Sequence, residues 1–339
     1  MTVLVIMAVM IGLVATFWRA MTRFAPAVQE EISLTDGPPS VLDPDQTIRL
    51  ITWNIGFAGL GREADFRPDG GTQIRARSRA VVEQHRDRIS TQLKDFEADF
   101  LLVQELAHGS FLTRGVEVLG SIQLKLASYQ MAYTPTVQVT GLPLVGQLDV
   151  GKATFSRHGI NRAIRHALPT AHDLPGLTMQ HFNVLESRVP LAGVSQELVL
   201  YNIHLAAFDD GALRRAQLDA VLAMMKAEYA NGNLVIAGGD WNLRLADTEF
   251  PSTAPEKHRF WVLDLPTDLG LDHWNWAYDP TVPTCRTLEQ PYEDGVNYTC
   301  VIDGFLVSPN LEIVTVEGVD LGFESSDHNP VNLQVRRRP

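Results

Sequence analysis

"GGDWNLRL", Gly238–Leu245, follows the apolar run "NLVIA", Asn233–Ala237, and sets Asp240 and Asn242 two residues apart where a buried strand has to end. A short β-branched run bounded by Asn and Gly reads as a strand. Glycine lets the backbone turn tightly there and leaves open space beside it, and the two-residue spacing directs Asp240 and Asn242 to one side of the exiting chain. Working outward, the same ending recurs. "TIRLITWNI" reads as a strand ending at Asn54 and "DFLLVQE" as one ending at Glu105. "ELVLYNIHL" reads as the second arm of a hairpin with "FNVLESRVPL", closed by "AGVSQ" and ending at His204. "CVIDGFLVS" carries Asp303, and "HNPVNLQV", which begins at His328 just after Asp327, closes the chain as a last strand.

Each of these polar residues, taken singly, has an ordinary reading as turn chemistry. Glu105 and His204 fit it poorly, because neither is a favoured turn former. Carboxylates, amides and two histidines gathered on one sheet edge form a hard ligand set without cysteine, which suits Mg2+ or Mn2+ better than structural zinc.

Helices are expected between these strands. Val82, Ile89, Leu93 and Phe96 share one face of the first, and "DGALRRAQLDAVLAMMKAEYANG" forms another with Leu213, Ala216, Ala220 and Met224 on its apolar face. "KATFS" is a short strand. Hairpins interspersed with βα units predict a mixed sheet covered by helices. At 339 residues, 45% hydrophobic and 20% charged, the composition is that of a globular chain with a sizeable core. Twenty-eight basic against forty acidic residues give a net charge of -12, which disfavours sequence-independent binding to duplex nucleic acid, although a small basic groove is compatible with it. Cys285 and Cys300 exclude a zinc ribbon and leave one bridge or two free thiols equally open.

The N-terminus departs from this pattern. "VLVIMAVMIGLVATFW", Val3–Trp18, is free of charge and is followed by Arg19 and Arg23, so residues 1–23 read as a transmembrane anchor or signal segment. Residues 24–46, rich in Pro and acid, read as a linker, and 47–339 as the globular domain. Positive charge after the apolar run favours a cytoplasmic domain.

The pieces "TWNI", "LLVQE", "KATFSRHGI", "YNIHL", "GGDWN", "VIDGFLVS" and "SSDHNPV", in this order, make the chain resemble the endonuclease/exonuclease/phosphatase superfamily over nearly the whole globular part. The resemblance implies a four-layer αββα sandwich of two mixed β-sheets, preceded here by the N-terminal transmembrane helix. It makes Glu105 the principal metal carboxylate, helped by Asn54 and Asp327. It gives Asp240 the attacking water, Asn242 and His204 the phosphate oxygens, and His328 the same oxygens or an acid-base part, with Asp303 fixing its tautomer. Lys152, before "ATFS", lies in the right neighbourhood for the site and reads equally as a solvated surface lysine. Arg214 and Gln217 read as structural props of their helix. The pieces "GLG", "DGG", "HLAAFDDG" and "GNLVIAGGDWN" look like an exported or membrane-tethered bacterial branch, whose domain is expected outside the cytoplasmic membrane, and that placement is adopted against the charge rule.

Loops set the substrate. Arg62, Arg67, Arg75, Arg77 and Arg79 after Asn54 either hold an anionic headgroup or phosphate chain or lie solvated. The expectation is a membrane-tethered, Mg2+-dependent phosphodiesterase or phosphatase acting on lipid headgroups or small phosphoesters. A nuclease of the same fold is the alternative, disfavoured by the lack of an aromatic and basic strip, and a non-catalytic anchored binding protein is the second alternative.

Overall fold

The computed structural model describes residues 23–338 except 39, 143–145 and 172–179, and at the N-terminus residues 6, 10 and 12–19. Two large sheets organise the chain. One is six-stranded, in the order β14 (Leu311–Gly318), β15 (Val331–Arg337), β2 (Ile48–Asn54), β3 (Phe100–Ala107), β5 (Gly146–Ser156) and β4 (Gln130–Leu142). The other is seven-stranded, in the order β1 (Gln29–Glu31), β6 (Arg162–Ala167), β7 (Asn183–Pro190), β8 (Glu197–His204), β9 (Leu234–Asp240), β13 (Asp303–Val307) and β10 (Asn275–Ala277). A two-stranded ribbon joins β11 (Cys285–Arg286) to β12 (Thr299–Cys300).

Each large sheet holds one parallel pair, β2 with β3 and β8 with β9, among antiparallel neighbours. A parallel pair requires a crossover. Helix α1 (Arg79–Asp95) supplies the first and α3 (Ala212–Ala230) the second, while the short α2 (Leu119–Lys125) follows β3. The two sheets face each other across an apolar core in which Leu50, Phe100 and Leu102 of one meet Leu185, Leu200, Ile236 and Phe305 of the other. The outer face of the six-stranded sheet packs on α1 and α2 through Val82, Ile89, Leu93 and Ile122. The outer face of the seven-stranded sheet packs on α3. Strands buried on both faces need the near-continuous apolar runs that make them legible in sequence.

Several expectations need correction. The buried face of α3 is Leu218, Val221, Leu222 and Met225 with Arg214 and Gln217, rotated from the Leu213, Ala216, Ala220, Met224 stripe. Arg214 and Gln217 turn inward because loop carbonyls and a backbone N–H inside the fold need their side chains, and the stripe counted apolar residues only. Residues 24–46 are no free linker. β1 pairs with β6, Leu34 bridges to Ala132, and Leu42 bridges to Leu191 and is wholly buried in the inter-sheet core. Lys152 is likewise no surface lysine, being 1% exposed with its Nζ donating to the Asn183 carbonyl. At the N-terminus, residues 12–19 are helical with Leu13, Val14, Phe17 and Trp18 exposed. The rest of the expected transmembrane segment, at 1–5, 7–9, 11 and 20–22, lies outside the described residues. Among the described residues no helix is long and apolar enough to cross a membrane.

Candidate active site

The parallel pairs bring the C-terminal ends of β2, β8 and β9 to one edge of the sandwich, and antiparallel neighbours begin where these strands finish. Asp303, the first residue of β13, is in register with Asp240, the last of β9. Val331 of β15 is in register with Thr52, so Asp327 and His328 enter beside Asn54. Glu105 arrives differently. β3 runs past it to Ala107, and the β3–β5 register slips between Val103 and Leu106. Glu105 sits in that bulge with φ +52°. A bulge re-aims a side chain and the left-handed region is costly for a non-glycine residue, a combination that gathers at functional sites. Asn242, one residue past Trp241 in the β9 exit, also holds a positive φ of +50°.

The side chains meet. Asn54 Nδ2 donates to Glu105 Oε1 at 3.2 Å and to Asp240 Oδ2 at 3.1 Å, and lies 3.5 Å from His328 Nε2. Its own Oδ1 accepts from the Gly56 N–H. His204 Nε2 stands 3.5 Å from Asp240 Oδ2 and 4.0 Å from Glu105 Oε1. His328 Nε2 is 3.8 Å from Asp240 Oδ2, and its Nδ1 is 2.8 Å from Asp303 Oδ2. Asp240 Oδ1 accepts the Asn242 backbone N–H at 2.9 Å, while Asn242 Nδ2 gives one hydrogen to the Leu205 carbonyl and keeps the other. Asp327 Oδ1 accepts from Ser326 Oγ at 3.3 Å. A cleft of about 110 Å³ is lined by Glu105, His204, Asp240, Asn242, Asp327 and His328, with Asn54 and Asp303 bonded directly behind them. All eight expected residues therefore converge.

Electrostatics follow from this crowding. Burial, then the charges of Asp327 and Asp240, pushes the Glu105 carboxyl up to about 8 against the pull of His328 and the Asn54 amide. Burial and Asp303 raise Asp240 to about 7. Burial raises Asp327 as well, over the opposing His328 and Arg286 charges. His204 goes the other way, to about 3, because burial and the nearby Lys152 and His328 oppose its charged form. His328 rises well above the ordinary histidine range, since Cys285, Asp303 and Asp240 around it outweigh its burial. The positive groups beside these carboxylates offset only part of their burial and mutual repulsion, and Asp303 Oδ1 is buried without any hydrogen bond.

That donor set fits a hard divalent cation. Cys285 adds no soft ligand, since burial pushes its thiol up to about 12. Asp240, Asp303 and His328 offer ligand atoms within 4.8 Å of one another. His328 Nδ1 is already engaged by Asp303, while its Nε2 faces Asp240 Oδ2 at 3.8 Å in the cleft that Glu105 and Asp327 also line.

The family sequence model described as Endonuclease/Exonuclease/phosphatase matches residues 51–328, from strand β2 to His328 itself. The chain belongs to the endonuclease/exonuclease/phosphatase family. No curated protein matches it by sequence. Among solved structures it resembles an endonuclease/exonuclease/phosphatase from Beutenbergia cavernae, with 20% identity, a TM-score of 0.57, and coverage of 86% of this chain and 72% of that one. It also resembles D. rerio TDP2 complexed with a single strand DNA product, at 15% identity and TM-score 0.54, covering 86% and 100% of the two chains. The human Nocturnin catalytic domain with bound sulfate anion is similar at 16% identity and TM-score 0.53, over 91% and 98%. At such identities the likeness shows the shared fold.

For this family member the structure adds residues that sequence reasoning passed over. Asp69, from "FRPDGG", lines the cleft, and nothing in its turn-like surroundings signalled it. Arg286 lines it too, 1% exposed, donating to the Gly61 carbonyl at 2.7 Å and to those of Leu60, Ala64 and Thr287. Phe208, on the cleft wall, stacks on Phe260 with ring centroids 5.8 Å apart, and both are more than half exposed. The arginines after Asn54 lie elsewhere. Arg62 covers the Tyr292 ring, Arg75 covers Phe111, and Arg79 pairs with Glu83. Arg214, wholly buried, donates to the backbone carbonyls of Asn242, Ala207 and Trp261 and to the Asp209 carboxylate. Gln217 accepts the Ala206 N–H and donates to the Pro169 carbonyl, each at 2.8 Å.

Proposed function

We propose that the chain is a divalent-cation-dependent phosphoester hydrolase in which Asp240 directs water at phosphorus. The observation that carries this reading is the Asn54 amide, which ties the Glu105 and Asp240 carboxylates together while His204 and His328 flank Asp240. Glu105 and Asp327 would hold Mg2+ or Mn2+, with Asn54 joining them by turning its Oδ1 from the Gly56 N–H to the cation. The cation's part is to neutralise charge on the phosphate oxygens and on the leaving oxygen. The Asn242 N–H fixes Asp240 Oδ1 and leaves Oδ2 to orient a water and take its proton. His204, neutral at physiological pH, and the free amide hydrogen of Asn242 donate to the phosphate oxygens. His328 is held cationic with Asp303 on Nδ1, so its Nε2–H meets a phosphate oxygen or protonates the departing one.

Membrane tethering belongs to the same proposal. The uncharged run Val3–Trp18 and the exposed Leu13, Val14, Phe17 and Trp18 support it, and a lipid headgroup or small phosphoester is the matching substrate class, with the domain outside the cytoplasmic membrane. The nuclease reading gains from one observation, the exposed Phe208–Phe260 stack on the cleft wall, which offers a π-face to a nucleobase. The structure of TDP2 with a single strand DNA product shows that this fold accommodates nucleic acid in another chain.

The test is hydrolysis of a sphingolipid or phospholipid headgroup ester, an inositol phosphate, a dinucleotide and single-stranded DNA, each with Mg2+, Mn2+ or EDTA. Cation-dependent cleavage of the first two classes is expected. Cleavage confined to the nucleotides selects the nuclease, and no turnover by folded protein on any of them overturns the hydrolase. A C-terminal alkaline phosphatase fusion is expected to be active, and an inactive fusion with a fluorescent cytoplasmic reporter would place the domain inside.

A further inference from the structure

Among the described residues, Asp69 is the one acidic residue lining the cleft that the proposed chemistry leaves unused. It is 7% exposed, faces the cleft that Glu105, Asp240 and Asp327 line, and among the described residues nothing hydrogen-bonds to its carboxylate. Its loop does not need that carboxylate. Asp65, four residues earlier, already does the structural work by accepting from the Thr72 and Gln73 backbone N–H groups, each at 2.7 Å, and from Thr72 Oγ1. The Phe66 N–H donates to the Leu288 carbonyl at 2.8 Å, and Gly70 closes the turn with φ +95°. Arg286 Nη2 donates to the carbonyls of Leu60, Gly61 and Ala64 and Nη1 to that of Thr287, so the guanidinium pins the loop and gives Asp69 no bond. Asp69 is thus held rigidly in a buried, negatively charged environment, and burial with the Asp327 and Glu289 charges raises its carboxyl to about 7 over the pull of Arg286 and His328.

A carboxylate that no protein group bonds, at a cleft with other carboxylates, is compensated by a proton, by water or by a cation that displaces the proton. We infer that Asp69 is a further carboxylate that holds the divalent cation, acting through a bound water in the cleft it shares with Asp327. The inference rests on the cation-dependent reading above. Oxygen-rich coordination of six or more ligands is ordinary for such ions, and Asn54, Glu105 and Asp327 leave positions to fill.

Calorimetric titration of the full chain with Mn2+ alone, comparing wild type with Asp69→Asn and Asp65→Asn, tests it. Asp69→Asn is expected to weaken Mn2+ binding about 10-fold or more, while the metal-free variant melts no lower than wild type, because a repelled charge has gone. Asp65→Asn is expected to lower the melting temperature and to keep Mn2+ affinity within about twofold once folded. Equal Mn2+ affinity in wild type and Asp69→Asn overturns this inference alone. So does a metal-free Asp69→Asn protein that melts several degrees lower, since that marks a structural residue. A folded wild type that binds no Mn2+ overturns this inference and the cation-dependent hydrolase with it.

Discussion

Asp240 divides its two oxygens, one taken by the Asn242 N–H and the other turned to Asn54, His204 and His328. Replacing it by Asn keeps shape and removes charge. Asp240→Asn should lower kcat by about 10²–10⁴ and raise the melting temperature of the metal-free protein, and steady-state kinetics with thermal melts check both. Asp303→Asn removes the anion behind His328. The alkaline limb of the pH–rate profile should then move to lower pH, because His328 loses a neighbour that favours its charged form. An unmoved limb would separate His328 from the acid role. At this scale the sequence was readable where a polar residue closes an apolar run, as at Asn54, His204 and Asp240. Asp69 was not readable, because Asp before Gly-Gly in a loop is ordinary turn chemistry and only the fold turns it into the cleft.

At the scale of elements, a bulge, a tight turn and a buried arginine set the site. Glu105 was expected at the end of its strand but lies inside β3, and a bulge depends on the partner strand, which one run of sequence does not show. β4, long and interrupted by Pro135, escaped notice for a related reason, since its pattern is set by pairing with β5. The turn after β2 needs Gly56 at φ +48°, where a Cβ would lie 2.7 Å from Asp327 Oδ1 and 2.9 Å from Leu60 Cβ. Gly56→Ala should cost about 1–3 kcal/mol in chemical denaturation and weaken Mn2+ binding through displaced Asp327. Full stability with full Mn2+ affinity would show that the turn relaxes freely. Arg214 secures the carbonyl of Asn242 in its left-handed conformation. Arg214→Met should destabilise by about 3 kcal/mol, read as a lower denaturant midpoint, because several buried carbonyls and Asp209 lose their donor.

For the whole molecule, the site crowds carboxyls into one buried place, where protons relieve their mutual repulsion. The raised folded-state carboxyls of Glu105, Asp240 and Asp69 stabilise the metal-free protein below their ordinary range and lose that contribution as pH rises toward 7 or 8. His204, lowered to about 3, acts oppositely below its ordinary pKa, and Lys152, lowered to about 7, opposes them only above pH 7. These carboxyls, with the raised Asp327 beside them, outnumber one histidine between pH 5 and 7, so the metal-free melting temperature should fall across that window and Mn2+ should restore more of it at pH 7 than at pH 5. A rising melting temperature would contradict the crowding. The mixed helix-covered sheets and the family were legible because buried strands are written as apolar runs with polar ends. The place of residues 24–46 was not, because a segment lying along a sheet edge looks like a linker until its partners are known. The most direct measurement is the hydrolysis rate of an activated phosphodiester by wild type and Asp240→Asn during titration from EDTA into Mg2+ or Mn2+. Turnover that appears with the cation in wild type and stays near background in the variant is predicted. Equal rates in EDTA and in the cation, or an Asp240→Asn protein as fast as wild type, would contradict the account.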